Sequence, residues 1–446
     1  MQKKILLLLV LISLSVNSQN FVTGSLNPQQ NYEWVVLYQL KGAKQLYIKN
    51  ETITNGKFSV AFPENATKGM YRIMFSQNGN GTFDFLYNKE NIELSFNPEN
   101  PIESLVFLKS EENIIYQKYQ DEFDSFKQKL DSLQLTYFKL NDFAKKEKAS
   151  KVYETYLKNF NNFQNLYEKQ TENKLANHFI KATKKYYANT LFSSPQQYLN
   201  SEKKHFFDFV NFEDEVLRSS IFYSEKIIEY IFYMNRSSDR QVQIGLLKNS
   251  VNEVFNKIEN QSLKSELLIT LLYTFAQVED VALIDYVIKN HYNKLPEAYK
   301  NNEVITDLKE RIKLAIGKQA PEIIWEENGI SKKLSNLDSA NNYIVVFWST
   351  GCSHCLVEVP QLYELTKDNP TIKVIAFAME KDELGFNHHT QKFEKWTNIL
   401  GLGKWDNPIT KNYNIVSTPT YFILDANKRI IAKPEFFKDV KSFFEN

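Results

Sequence analysis

Residues 343–355, YIVVFWSTGCSHC, decide the fold of the C-terminal part of this chain. Tyr343 to Trp348 is an unbroken apolar run ended by Ser349-Thr350-Gly351, the pattern of a strand buried on both faces. Leu356–Thr366 then takes helical spacing, and Ile372–Ala378 is a second apolar run. Tyr421–Leu424 and Arg429–Ala432 flank a turn at Asp425–Lys428, and Glu435–Phe444 reads as a closing helix. This order predicts an α/β unit whose first strand hands over to its helix at Cys352 and Cys355.

These are the only two cysteines in 446 residues. A disulfide between them closes a ring too small to restrain much of the unfolded chain, and there is no second pair to act as a staple. Their position gives a better reason for them. A cysteine at a helix N-terminus faces unsatisfied backbone N–H groups and the positive end of the helix dipole, which favour the thiolate. Cys352 is placed to attack a disulfide, and Cys355, one turn deeper, to resolve the mixed disulfide. Covalent haem attachment would need histidine directly after the second cysteine, where Leu356 stands. A structural zinc would need two further ligands, and the nearby histidines are His354 and the pair His388-His389. Redox chemistry is the leading reading, with an inert pair and a metal site as the others.

Upstream, the texture changes twice. From Phe21 to Leu108 the chain alternates and is broken by turn signals: Asn55-Gly56 between Glu51–Thr54 and Lys57–Phe62, then Asn78-Gly79-Asn80-Gly81. Asn-Gly between alternating runs signals a hairpin, because both residues tolerate positive φ. With Met70–Phe75, Phe83–Tyr87 and Ile92–Phe96 as further strands, residues 19–108 are expected to form an antiparallel β-sandwich or barrel. From Thr82 to Ile316 the only glycine is Gly245, and from Ile102 to Leu295 the only proline is Pro195. Average glycine usage would place roughly 16 in such a stretch. Residues 109–314 are therefore expected to be all-α. Tyr116, Tyr119, Phe123, Phe126, Leu130, Leu133 and Tyr137 mark one helical face, which suits packing within the chain better than a two-stranded coiled-coil seam. The third region is 315–446, so the fold class is multi-domain α+β.

Residues 1–18 read as a secretory signal peptide: Lys3 and Lys4, an apolar run from Ile5 to Val16, and small or neutral residues before Gln19. The run falls short of the roughly 20 residues that span a bilayer. No cysteine follows it for lipid attachment, and no later stretch is apolar enough to span. An exported, periplasmic protein without a transmembrane span in its mature chain is expected. Lys plus Arg is 54 against Asp plus Glu at 53, which gives no basic excess for nucleic acid. Aromatics reach 14%, with 25 Tyr and 33 Phe, so the cores should be aromatic.

The C-terminal region resembles the thioredoxin-fold domains of the TlpA/ResA type, exported thiol–disulfide oxidoreductases. The matching residues are Gly317-Lys318-Gln319-Ala320-Pro321, Tyr343–Trp348 running into Cys352-Ser353-His354-Cys355, then Glu358 and Pro360, and Ser417-Thr418-Pro419-Thr420 before a strand. The upstream regions resemble, more diffusely, those that precede such domains in large exported relatives. The resemblance implies that Cys352 is the nucleophile and Cys355 the resolving thiol. It makes Pro419 a cis-proline facing them, with the Thr418 backbone free to pair with an extended substrate. Trp348, Gly351 and His354 would join Thr418 and Pro419 at the substrate surface. Glu358, three residues after Cys355, would exchange protons with that thiol. No cofactor is implied beyond the Cys352–Cys355 disulfide. The implied partners are cysteine-containing exported proteins and a membrane or periplasmic thiol–disulfide electron partner.

Three departures bear on direction. Val346 stands where thioredoxins carry a buried acid, and Gly351 where both families usually carry Trp. Ser353-His354 is the dipeptide of oxidants rather than reductases, since a histidine there stabilises the thiolate. The expected potential is therefore above the roughly −270 mV of thioredoxin. Between Ala378 and Tyr413 an insertion holds Trp396 and Trp405, which are expected to pack against the fold, with flanking the site as the alternative. The alternative to an enzyme is an exported binding or scaffold protein with a redox-sensitive C-terminal domain.

Overall fold

A computed structural model describes residues 19–77, 81–327 and 329–445. The signal-peptide segment and most of the Asn78–Gly81 turn signal lie outside these residues. The described chain forms two compact units, the first ending at Leu267 and the second running from Leu268.

The first unit opens with eight strands: β1 Phe21–Leu26, β2 Trp34–Lys41, β3 Lys44–Thr52, β4 Lys57–Ala61, β5 Gly69–Met74, β6 Thr82–Tyr87, β7 Ile92–Phe96 and β8 Val106–Lys109. They make two sheets, ordered β4-β1-β7-β8 and β3-β2-β5-β6. Alternate residues of both face one aromatic core: Phe62 stacks on Tyr87 at 3.7 Å, and Tyr32, Phe75, Phe83 and Phe96 fill the other end. The sandwich differs from the expectation in two ways. The pairing of β1 with β7 is parallel. And Asn55-Gly56 (φ 52° and 70°) makes a tight turn closed only by the Thr54–Lys57 bridge, after which β4 pairs with β1 while β3 stays with β2. The turn carries the chain from one sheet to the other rather than around a hairpin. The buried positions Phe58 and Val60 of β4 find their core there.

The helices are α1 Glu111–Lys139, α2 Phe143–Gln170, α3 Leu175–Thr183, α4 Pro195–His205, α5 Glu215–Arg218, α6 Phe222–Ile228, α7 Arg240–Lys257, α8 Gln261–Gln277, α9 Val281–Asn290 and α10 Asn302–Arg311. The aromatic stripe of α1 packs within the chain: Tyr119 stacks on Phe163 of α2 at 5.3 Å, and Phe126 meets Phe160 and Phe163. Asn113 fastens α1 to β6, an edge strand, by accepting the Leu86 N–H and donating to the Leu86 carbonyl, both at 2.7 Å. Glu112, 1% exposed, accepts the N–H groups of Leu175 and Ala176 and so caps α3, which has no capping side chain of its own.

In the second unit, β9 Ile324–Glu327 and β10 Ile330–Lys333 form a small exposed pair. The main sheet is built from β11 Asn342–Trp348, β12 Ile372–Glu380, β13 Thr397–Leu402, β14 Thr420–Asp425 and β15 Ile430–Ala432, in the order β13-β12-β11-β14-β15. The strands β11, β12 and β13 are parallel, and β14 and β15 antiparallel. The helices α11 Ser353–Thr366, α12 Phe386–Thr390, α13 Pro408–Asn412 and α14 Phe437–Glu445 complete it. Two buried clusters cover the two faces of β11, so all of Tyr343–Trp348 is within 1% of full burial. The insertion supplies edge strand β13, where Gly401 leaves room for the Phe377 ring; a Cβ there would stand 2.2 Å from it. Trp396 is buried and donates to Thr366 Oγ1, whereas Trp405 is 47% exposed and does not pack as expected.

Candidate active site

Strand β11 ends at Trp348, and a short turn brings the chain to Cys352, the residue capping α11. Three bonds shape that turn: Gly351 N–H to Ser349 Oγ (3.3 Å), Cys352 N–H to Ser349 O (3.1 Å), and Thr350 N–H to Glu380 Oε1 (2.6 Å). Cys352 has extended geometry (φ −105°, ψ 114°), and its Sγ accepts the Cys355 N–H at 3.2 Å, the role an oxygen usually plays at an N-cap. On its other side Sγ lies 3.3 Å from the Thr418 carbonyl oxygen. Cys352 is half-buried and Cys355 fully buried, both as free thiols.

The two thiols are driven apart electrostatically. Burial acts to raise the Cys352 pKa, but hydrogen bonds from Cys355, from Thr418 and from the Cys355 and His354 backbone outweigh it. The group is held below its ordinary value of 9.0. For Cys355, burial first and the bond to Cys352 second push the thiol up to about 12. One sulfur is poised to ionise and the other to keep its proton.

Glu358 lies one turn along α11, half-buried, and its Oε2 accepts the Tyr421 hydroxyl at 3.0 Å and the Phe437 N–H of α14 at 2.8 Å. Tyr421 is fully buried on β14, paired directly across from Val346 on β11. Burial first and the charge of Glu358 next raise its phenol pKa, so the hydroxyl stays a donor. Where thioredoxins carry an acid on the strand before the motif, this chain places a tyrosine on the neighbouring strand.

The Thr418–Pro419 peptide is cis, and Thr418 faces Cys352. Gly351 and His354 are exposed beside the sulfur. Trp348 is not at the surface: it is 1% exposed, set edge-on to Phe393 at 5.9 Å, in the same cluster as Cys355. Its expected place among substrate contacts is corrected, because the last residue of a central strand points into the core beneath the site. Sequence reasoning missed Glu380, 5% exposed, and Tyr421, both distant from the motif along the chain. It also missed two apolar residues beside the motif. Val416, two positions before Thr418, is 88% exposed. Leu384 is 82% exposed and precedes Gly385, whose Cβ position lies 3.4 Å from Thr350 Oγ1.

Comparison with known proteins finds matches over the same region. Residues 341–430 match a family described as thioredoxin-like. The chain is 24% identical over 123 residues to the thiol–disulfide oxidoreductase ResA of Bacillus thuringiensis, covering 27% of this chain and 69% of ResA. Among solved structures, a domain of a possible thiol-disulfide isomerase from Cytophaga hutchinsonii is 28% identical, covering 30% of this chain and 92% of that one, with a TM-score of 0.26. A thioredoxin-like protein from Bacteroides caccae is 17% identical, covering 56% of this chain and 94% of that one, with a TM-score of 0.28. Residues 341–430 are thus a thioredoxin-like domain, and the curated relatives that match this region are thiol–disulfide oxidoreductases.

Proposed function

We propose that this protein is an exported enzyme that exchanges disulfides with protein substrates through Cys352 and Cys355. The observation that carries the reading is the Cys352 sulfur itself, half-exposed at the α11 N-terminus, bonded to the Cys355 N–H, with a buried thiol of raised pKa behind it. In the reducing direction the Cys352 thiolate attacks a substrate disulfide, forming a mixed disulfide and releasing one substrate thiolate. Cys355 then gives up its proton and attacks Cys352 Sγ, and the second substrate thiolate leaves. Two electrons pass from the dithiol to the substrate, and a membrane or periplasmic thiol–disulfide partner resets the pair. In the oxidising direction every step reverses.

Glu358 takes the Cys355 proton, and Tyr421 and the α14 N-terminus hold its Oε2 for that task. Thr418 and Pro419 present backbone to an extended substrate, Gly351 leaves the approach to Cys352 open, and Val416 and Leu384 offer it apolar contact. His354 favours the reduced pair and sets the potential above that of thioredoxin. Export rests on the N-terminal residues, and among the described residues no helix is long and apolar enough to cross a membrane.

The test is a Cys355→Ser variant incubated with extracts of exported proteins. Covalent partners should accumulate on Cys352 and be released by reductant. Absence of adducts, together with no disulfide exchange by the native protein, would overturn the enzymatic reading in favour of a scaffold. The potential of the full chain, expected above about −270 mV and lowered by His354→Pro, decides direction.

A further inference from the structure

The parallel strands β11, β12 and β13 all end at one edge of the sheet. In open α/β sheets, ligands bind in the crevice beyond the carboxyl ends of the strands, where the strand order reverses. Here the chain fills one side of β11 with β12 and β13 and then crosses to β14 on the other, so the reversal lies at β11, where Cys352 follows. The turn Lys404–Asp406 follows the end of β13 at the same edge. Glu380, the last residue of β12, joins the two. Its carboxylate accepts the Thr350 N–H at 2.6 Å, two residues before Cys352, and its backbone carbonyl accepts the Gly403 N–H at 3.0 Å, two residues before Trp405. With strands about 4.8 Å apart, the end of β13 stands roughly 10 Å from that of β11.

That far turn presents apolar surface to solvent. Trp405 is 47% exposed and Leu402 equally so, while Leu384, on the loop after Glu380, is 82% exposed. Tryptophan is usually mostly buried, and among the described residues Trp405 is the one exposed tryptophan. Its exposure does not come from a loose backbone. The Asp406 N–H donates to the Gly403 carbonyl at 2.9 Å, the Asn407 N–H to the Lys404 carbonyl at 3.2 Å, and Asn407 Nδ2 to the Leu402 carbonyl at 2.9 Å. Lys411 adds an ion pair to Asp406 at 3.0 Å. Gly403, with φ 91°, supplies the left-handed residue on which the turn depends. An indole held out to solvent on a pinned turn is pre-organised to receive an apolar group, because little backbone freedom is left to lose.

We propose that Trp405, with Leu402 and Leu384, is a docking subsite for a large apolar side chain of the protein substrate, about three residues from the cysteine that Cys352 attacks. Three extended residues at about 3.3 Å each cover the roughly 10 Å between the strand ends. The inference rests on the exchange reading and names its substrate class: disulfides in extended segments that expose apolar side chains, as incompletely folded proteins do. The test uses short peptides whose single cysteine carries thionitrobenzoate in a mixed disulfide. The Cys352 thiolate attacks the peptide sulfur and releases the coloured thiolate, and Cys355 then displaces the peptide thiolate. Phenylalanine or serine stands three residues before or after the cysteine, and each rate is divided by the rate of the same protein with dithiobis-nitrobenzoate, a small disulfide. With the reduced full chain, the better phenylalanine peptide should react about tenfold faster than its serine twin below saturation. Trp405→Ser should bring the two peptides to near parity by raising KM for the phenylalanine peptide, and Trp405→Phe, which keeps a ring, should retain most of the preference. Equal normalised rates for the two peptides, or a preference that survives Trp405→Ser, overturns the proposal. Failure of the native protein to react even with the small disulfide overturns the exchange reading and the subsite with it.

Discussion

The opposed shifts of the two thiols predict a large asymmetry in alkylation. Reduced protein is treated at pH 8 with iodoacetamide, and each cysteine is followed by peptide mass spectrometry. A thiol of pKa 9 is about 9% thiolate at that pH, and one of pKa 12 about 0.01%, a ratio near 900. A more basic thiolate is intrinsically the better nucleophile, with a Brønsted slope of about 0.45, which returns roughly twentyfold to Cys355. Cys352 should therefore react at least about fortyfold faster. The greater exposure of Cys352 widens that gap, and the full burial of Cys355 widens it further. The sign of the pH dependence follows. The Cys352 rate rises with pH and levels off with a midpoint below 9.0, because the group is held below that value, whereas the Cys355 rate is still climbing at pH 10. Comparable rates for the two cysteines in the folded protein, or a Cys352 midpoint above 9.0, would refute the reasoning.

Three other perturbations probe the supports of the site. Tyr421→Phe removes one of the two donors to Glu358 Oε2 and should cost about 1.5–3 kcal/mol of stability, as for hydrogen bonds to charged groups. If it positions Glu358, it also shifts the pH profile of disulfide exchange without altering substrate KM, a readout that lost packing alone would leave in place. Glu380→Ala strips the Thr350 N–H of its buried acceptor. The expected loss is about 1–3 kcal/mol in chemical denaturation, and slower Cys352 alkylation should accompany it as the turn loosens. Gly351→Trp should leave stability within about 0.5 kcal/mol, as at other unconstrained surface positions. A Cβ there meets only Ser349 Oγ, at 3.8 Å. Exchange with folded protein substrates should slow while exchange with small disulfides does not.

The parts of the fold that were legible in the sequence share a simple cause. Tyr343–Trp348 is buried on both faces and is therefore uniformly apolar, and β5 to β7 face one core and therefore alternate. Where pairing is decided by distant partners, local pattern said little. Asn55-Gly56 correctly marks a turn, but which sheet receives β4 depends on β1, some thirty residues earlier. The edge strand β13 fully buries only Ile399 and Gly401 of its six residues and carries that glycine to fit the Phe377 ring, and the β9–β10 pair is almost wholly exposed, so neither imprints a hydrophobic period. The site divides the same way. The cysteines, at the cap and first turn of α11, were readable from their spacing, and Glu358 on the same helix from the family resemblance. Tyr421 and Glu380 reach the site only through the register of β14 and β12 against β11, which no spacing along the chain encodes.

The Phe437 N–H bond to Glu358 has a counterpart in packing: Val440 of α14 is fully buried in the same cluster as Cys355, Val359 and Leu362. The roof over the resolving thiol is thus made last. At a synthesis rate of about 5–20 residues per second, the roughly eighty residues between Cys355 and α14 take about 4–16 seconds to emerge. Throughout that interval Cys355 lacks the share of its cover that α14 contributes, and with it part of the pKa rise that burial imposes. The distinction between attacking and resolving thiol is completed only when α14 docks, so oxidants met by the nascent chain encounter a pair less sharply told apart than in the folded protein.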